Sequence, residues 1–185
     1  MPLTFARQRN SLPSWSPQLY EMIRSPPYSH MSMSEALRHS AEAIFTRIAP
    51  RRWFLNIDEI RSGGTCDKCL EHESMAEILS GCINRMYGII RTIDPGADVV
   101  VWDDMLSPYA NAQEQYVDCR GSFKGVWNMI PKDILIMDWN ITGTMANPNI
   151  HLKESEDFFR GLGFRTLNAG FYDVPDSESV QFFTR

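Results

Sequence analysis

Apolar side chains recur along this chain at two periods. Ala36-Leu37, Ser40-Ala41, Ile44-Phe45 and Ile48 fall at helical spacing, with Ser34 as the cap and Pro50 as the stop. Ile78-Leu79, Cys82-Ile83, Met86-Tyr87 and Ile89-Ile90 do the same over about Met75 to Ile93, capped by Ser74 and stopped by Asp94-Pro95-Gly96. A third helical stretch runs from about Leu152 to Leu162 and ends at Gly163. Between these lie short runs that read as strands, Trp53 to Ile57 as a buried one: Trp53 to Ile57, Asp98 to Trp102, Asp133 to Met137 and Phe164 to Ala169. Strands alternating with helices predict an α/β fold with a parallel sheet, because parallel neighbours need a long crossover between them. Residues 1–31 show no period and are broken by Pro2, Pro13, Pro17 and Ser25-Pro26-Pro27, with one helical turn expected from Pro17 to Ile23. The folded domain is therefore expected over 32–185. Arg61 to Glu73, and a segment with Gly143 and Pro148, read as loops; Trp127 marks a packed turn; Pro175-Asp176-Ser177 starts one more helix.

All four strands end in acids or aromatics. Asp58-Glu59 follows the first, with Arg61 beyond it, and Trp102-Asp103-Asp104 closes the second. Asp138-Trp139-Asn140 closes the third, and Phe171-Tyr172-Asp173 follows the fourth. Strand packing asks for none of these residues. In sheets built from βα units, sites are assembled at the carboxyl ends of the strands. The competing use of an acid there is to complement a helix N-terminus.

Composition narrows the partners. The chain has 185 residues, 43% hydrophobic and 22% charged, which suits one soluble domain with a real core. A net charge of -5 without a basic block argues against nucleic acid. No run is long enough to span a bilayer, and the N-terminus lacks an apolar signal core, so the chain as written is expected in the cytoplasm. Cys66 and Cys69 have the spacing of half a zinc site, with His72 three residues on, but no second Cys-x-x-Cys completes it. No cofactor is required by this reading.

The ordered set of strand ends resembles glycoside hydrolase family 20, the β-N-acetylhexosaminidase family, and is most like bacterial relatives that carry Asp-Glu-Ile-Arg before a cysteine-bearing loop. The resemblance runs from about Trp53 to Asp173. It implies a partial (β/α)8 TIM-type barrel, of which this chain carries about the fourth to seventh strands. It also implies a carbohydrate substrate, with Glu59 as general acid and Asp58 orienting the substrate's acetamido group. Trp102 and Trp139 would stack on a sugar ring, and Asn56, Arg61, Asp103, Asp104, Asp138, Asn140, Tyr172 and Asp173 would line the substrate. Where the family has His-x-Gly-Gly-Asp-Glu, this chain reads Phe54-Leu55-Asn56-Ile57-Asp58-Glu59.

Each role has a structural counterpart. Successive strand residues point to opposite sides, so the competing placement turns Glu59 outward, away from Asp58, to pair with Arg61. A tryptophan at a strand end also serves as a lid on the core, and asparagine caps turns. Two further functions compete: a non-catalytic truncated barrel or sugar-binding remnant, and a metal-dependent barrel enzyme with Asp58, Glu59, Asp103 and Asp138 around Mg2+. Four strands cannot close a barrel, so the strands at Trp53 and Phe164 are expected to carry open edges and to favour self-association.

Overall fold

A computed structural model of the chain describes residues 32–113, 115–139, 141–144, 147–150 and 152–169. Helix α1 (Met33–Ile48) starts at Ser32 rather than Ser34. Glu35 lies three residues after Ser32 and returns its carboxylate to the Ser32 backbone N–H, so a capping box selects the earlier serine. Strand β1 (Arg52–Phe54) follows, then the two-residue strand β2 (Ser62–Gly63) and the short helix α2 (Asp67–Leu70). Helix α3 (Met75–Ile93) takes its cap from Ser74, whose hydroxyl accepts from the Glu77 N–H. Strand β3 (Asp98–Trp102), the two-residue strand β4 (Asp118–Cys119) and a 3-10 turn at Val126–Asn128 lead to β5 (Leu135–Asp138). Strands β6 (Ile141–Thr144) and β7 (Asn147–Ile150) precede helix α4 (Leu152–Gly161) and strand β8 (Arg165–Asn168).

The main sheet is wholly parallel, in the order β1-β3-β5-β8. Its two faces differ. Trp53, Val99, Val101 and Ile136 join one core with Ile78, Ile83 and Ile90 of α3 and Phe159 of α4. The alternate positions, Val100 and Leu135, are buried but stand outside that core, and on the same face of the edge strands Phe54 and Leu167 are 41% and 37% exposed. Alternation along each strand requires this division. At the amino end of the second face, Asp98 takes Arg52 on one oxygen and Arg165 on the other, at 3.2 and 2.6 Å. The Asp133 carboxylate, just before β5, is held by Tyr87 and Arg91 of α3.

Three expectations need correction. Strand β1 stops at Phe54, short of the expected end at Ile57. Asn56 and Glu59 have φ of 46° and 39°, a left-handed backbone that breaks the extended path after the last ladder bond, Leu55 N–H to the Val100 carbonyl. The 61–73 stretch is more than a loop: β2 pairs in parallel with β4. The stretch with Gly143 and Pro148 forms an antiparallel hairpin of β6 and β7, with Gly143 opposite Pro148. Proline is tolerated in such a strand because β7 pairs with β6 alone among the described residues. The expected turn at Pro17–Ile23 and the helix after Pro175 lie outside the described residues. Among those described, no helix is long and apolar enough to cross a membrane.

Candidate functional site

Because the four strands run in parallel, the segments that follow β1, β3 and β5 emerge at one end of the sheet. Asp58 and Glu59, Trp102 to Asp104, and Asp138 and Trp139 all belong to that end. Asn140, Tyr172 and Asp173 lie outside the described residues.

At the centre, Asp103 and Asp104 diverge. The chain turns sharply as it leaves β3, with the N–H groups of Leu106 and Ser107 both reaching the Asp103 carbonyl at 2.7 Å. Asp103 is fully buried. Its Oδ1 accepts the Trp139 N–H at 3.0 Å, and its Oδ2 accepts the Ser155 hydroxyl of α4 at 3.2 Å. Ser155 in turn meets the Ser107 hydroxyl at 3.1 Å. Burial, then the negative field of Asp138, pushes the Asp103 carboxyl up to about 8, so the neutral acid is its favoured form at pH 7.

Asp104 points the other way, toward the loop after β1. Its Oδ2 accepts the Glu59 N–H at 2.9 Å and the Asn111 side-chain amide at 3.2 Å. Burial raises it to about 6, against hydrogen bonds from the Glu59 backbone and the Trp139 side chain, while Asp58 adds like charge. These two carboxylates are therefore internal acceptors: Asp103 fixes the backbone of Trp139, and Asp104 fixes the backbone of Glu59.

The loop they hold presents different chemistry. Asp58 is half-buried, and burial followed by the adjacent Glu59 charge raises its carboxyl above the usual range. Glu59 is exposed and takes Arg61 as an ion-pair partner. Tyr116 stands close to both, since each acts on its phenol. Ile60 anchors the loop below them, its N–H reaching the Met105 sulfur and its carbonyl accepting the Cys119 thiol.

The aromatics form a row. Phe54 meets Trp102 edge-on at 4.6 Å between ring centroids, and Trp102 lies 5.6 Å from Trp139. The Trp102 indole N–H donates to Asn56 Oδ1 at 3.1 Å, so Asn56 holds the ring. Both tryptophans stay partly exposed.

Residues that the sequence left unmarked complete the arrangement: Ser107, Asn111, Tyr116 and Ser155. Ser107 and Asn111 follow the marked Asp104 by three and seven residues, whereas Ser155 reaches Asp103 from 52 positions away. Among the described residues, no three His, Cys, Asp or Glu side chains are grouped as metal ligands, so the Mg2+ set of Asp58, Glu59, Asp103 and Asp138 does not assemble. A hollow of about 490 Å3 lies along β8 and the amino ends of the strands, away from these groups, lined by Arg52, Leu135, Arg160 and Arg165 among others. Its arginines are engaged, with Asp98 and Glu156. No protein-family model matches the chain, and no curated protein matches it.

Proposed function

We propose that this chain carries the saccharide-facing rim of a barrel-type glycoside hydrolase, acting on O-glycosides and, in keeping with the family 20 resemblance, on N-acetylhexosaminides. The observation that supports this most is the pairing of a partly exposed indole row, Trp102 and Trp139, with carboxylates at the same end of a parallel sheet. A sugar ring offers apolar C–H faces to an indole and hydroxyls to acids and amides. The second side of the sheet, with Phe54, Val100, Leu135 and Leu167, suits the interior of a barrel, which layers apolar side chains from alternate strands.

In this reading Glu59 protonates the leaving oxygen, and Asp58 orients the acetamido group that attacks the anomeric carbon. Asp104 positions the acid through the Glu59 N–H, and Asp103 positions the Trp139 platform through its N–H. Substrate must first displace Arg61 from Glu59. That ion pair is also the observation that favours the second reading, a sugar-binding module without catalysis. In both readings β1 and β8, each paired on one side only among the described residues, invite self-association.

Hydrolysis of an aryl N-acetyl-β-glucosaminide, measured beside tryptophan fluorescence during titration with N-acetylglucosamine, tests the proposal. Turnover together with a fluorescence change supports the enzyme; a fluorescence change alone, lost in Trp139→Ala, supports the binding module. Neither signal at millimolar sugar defeats both.

A further inference from the structure

We propose that Cys66 and Cys69 form a redox-active dithiol that exchanges with low-molecular-weight disulfides, closing a reversible internal disulfide in the loop after the rim. This inference is independent of the glycoside reading.

The geometry is that of an attacking and a resolving thiol. Cys66 immediately precedes α2, and its sulfur lies 3.2 Å from that of Cys69. Cys66 is exposed and Cys69 buried, so a reagent in solvent meets Cys66 first. The two sulfurs share a hydrogen bond, and that contact lowers the Cys66 thiol below its ordinary value. Burial raises Cys69. Such asymmetry makes the outer sulfur the thiolate nucleophile and keeps the inner one in reserve.

The surroundings keep the pair together. The Leu70 N–H closes the turn onto the Cys66 carbonyl at 3.0 Å. Arg120 clamps the far side, its Nη2 reaching the carbonyls of Cys69 and His72 at 3.3 and 2.8 Å. Gly64, with φ of 84°, brings the chain so close that a Cβ would lie 2.7 Å from the Met75 sulfur and 2.9 Å from Arg120 Cβ. His72 is engaged with Glu77 at 3.1 Å, and no third ligand joins the two sulfurs among the described residues. A metal use of the motif thus lacks its ligands.

The exchange balances without another reagent. The Cys66 thiolate attacks one sulfur of oxidised glutathione, forming a mixed disulfide and releasing a glutathione thiolate, which takes up the proton that Cys66 lost. Cys69 gives its proton to water and attacks the Cys66 sulfur. The second glutathione leaves as its thiolate and takes up that proton. Two protein thiols are oxidised, and one glutathione disulfide is reduced to two thiols.

Intact mass and peptide mapping of the full chain, incubated anaerobically with oxidised glutathione, test this. The expected product has lost two hydrogens, carries a link between Cys66 and Cys69, retains no glutathione and returns to the dithiol on reduction. Cys69→Ser should trap one glutathione on Cys66, and Cys66→Ser should slow reaction of the motif by about ten-fold or more. A wild-type chain that keeps glutathione on Cys66 without closing the link would overturn the proposal. So would Cys82 and Cys119 reacting as fast as Cys66. The wild-type measurement decides even where a variant fails to fold.

Discussion

Asp103-Asp104 closes β3, and Asp58-Glu59 follows β1, the strand beside it. In the sequence the two pairs look alike: an apolar run, then two adjacent carboxylates. In the fold they diverge. Asp103 and Asp104 are 0% and 3% exposed, and both spend oxygens on backbone N–H groups of other segments. The Glu59 side chain is 41% exposed and takes Arg61 as its ion-pair partner. The difference arises where each strand ends. The chain turns tightly straight out of β3, which sends the acids inward; after β1 it takes left-handed steps at Asn56 and Glu59, which leave Asp58 half-buried and Glu59 exposed. One pair builds the rim, and the other is presented by it.

If that division of labour holds, removing the presented acid should erase chemistry and spare stability. Glu59→Gln should lower hydrolysis of an alkyl N-acetyl-β-glucosaminide by about 10²–10⁴, the usual worth of a positioned general acid. An aryl glycoside with an acidic leaving group should lose much less, since it needs little protonation. The urea midpoint should stay near wild type, because an exposed ion pair contributes only about 0–1 kcal/mol. Equal losses on both substrates would take Glu59 out of the acid role.

The buried pair should behave in reverse. Asp104→Ala leaves the Glu59 N–H and the Asn111 amide without their acceptor. Stranding buried donors costs about 1–3 kcal/mol. Urea unfolding at pH 5 should show a loss of about 2 kcal/mol, whereas Asp58→Ala should change stability by under about 0.5 kcal/mol. Comparable losses for the two would dissolve the comparison.

How much of this was legible in the sequence depends on the range of the interaction. Helix α3 runs from Met75 to Ile93 as its period and its Ser74 cap predict, and β3 runs from Asp98 to Trp102 as its apolar run predicts, because caps, breakers and apolar periods are local. The end of β1 was not legible. Leu55 and Ile57 suit a strand and Asn56 readily turns left-handed, but the second left-handed step, at Glu59, answers to Asp104, 45 residues on, which holds the Glu59 N–H. The same limit hid Ser155. A serine inside an amphipathic helix carries no mark of the carboxylate it will meet, and 105–131 holds too few periodic positions to fix its turns.

The pH dependence of folding gives a finer test of the buried pair. Asp103 rises from an ordinary 3.8 to about 8 in the fold, and Asp104 to about 6. Between those limits the unfolded chain has released protons that the folded chain retains. The pair's stability is therefore full below about pH 4 and falls as pH rises, through about 6 for Asp104 and about 8 for Asp103. Asparagine at 103 can still accept the Trp139 N–H and donate to Ser155, and it has no proton to lose. Asp103→Asn should flatten the decline in stability between pH 5 and pH 8 by at least about 1.4 kcal/mol, the worth of one pKa unit. An unchanged slope would mean that Asp103 does not carry the decline.

The smallest effect isolates the backbone at the presented acid. Glu59 has φ of 39°, a region that side-chain-bearing residues enter at a cost of about 1–3 kcal/mol and glycine enters freely. Its backbone stays there because Asp104 holds the N–H and Ile60 is anchored next to it. Glu59→Ala and Glu59→Gly remove the same carboxylate, so both should abolish proton donation equally. They should differ in stability. At an ordinary position alanine exceeds glycine because glycine loses more chain entropy on folding. At a left-handed position the order reverses, and Glu59→Gly should be more stable than Glu59→Ala by about 1 kcal/mol, read from paired urea melts at one pH. If alanine is instead the more stable, residue 59 is unstrained, and Asp104 merely accepts a hydrogen bond from a loop that would take this path without it.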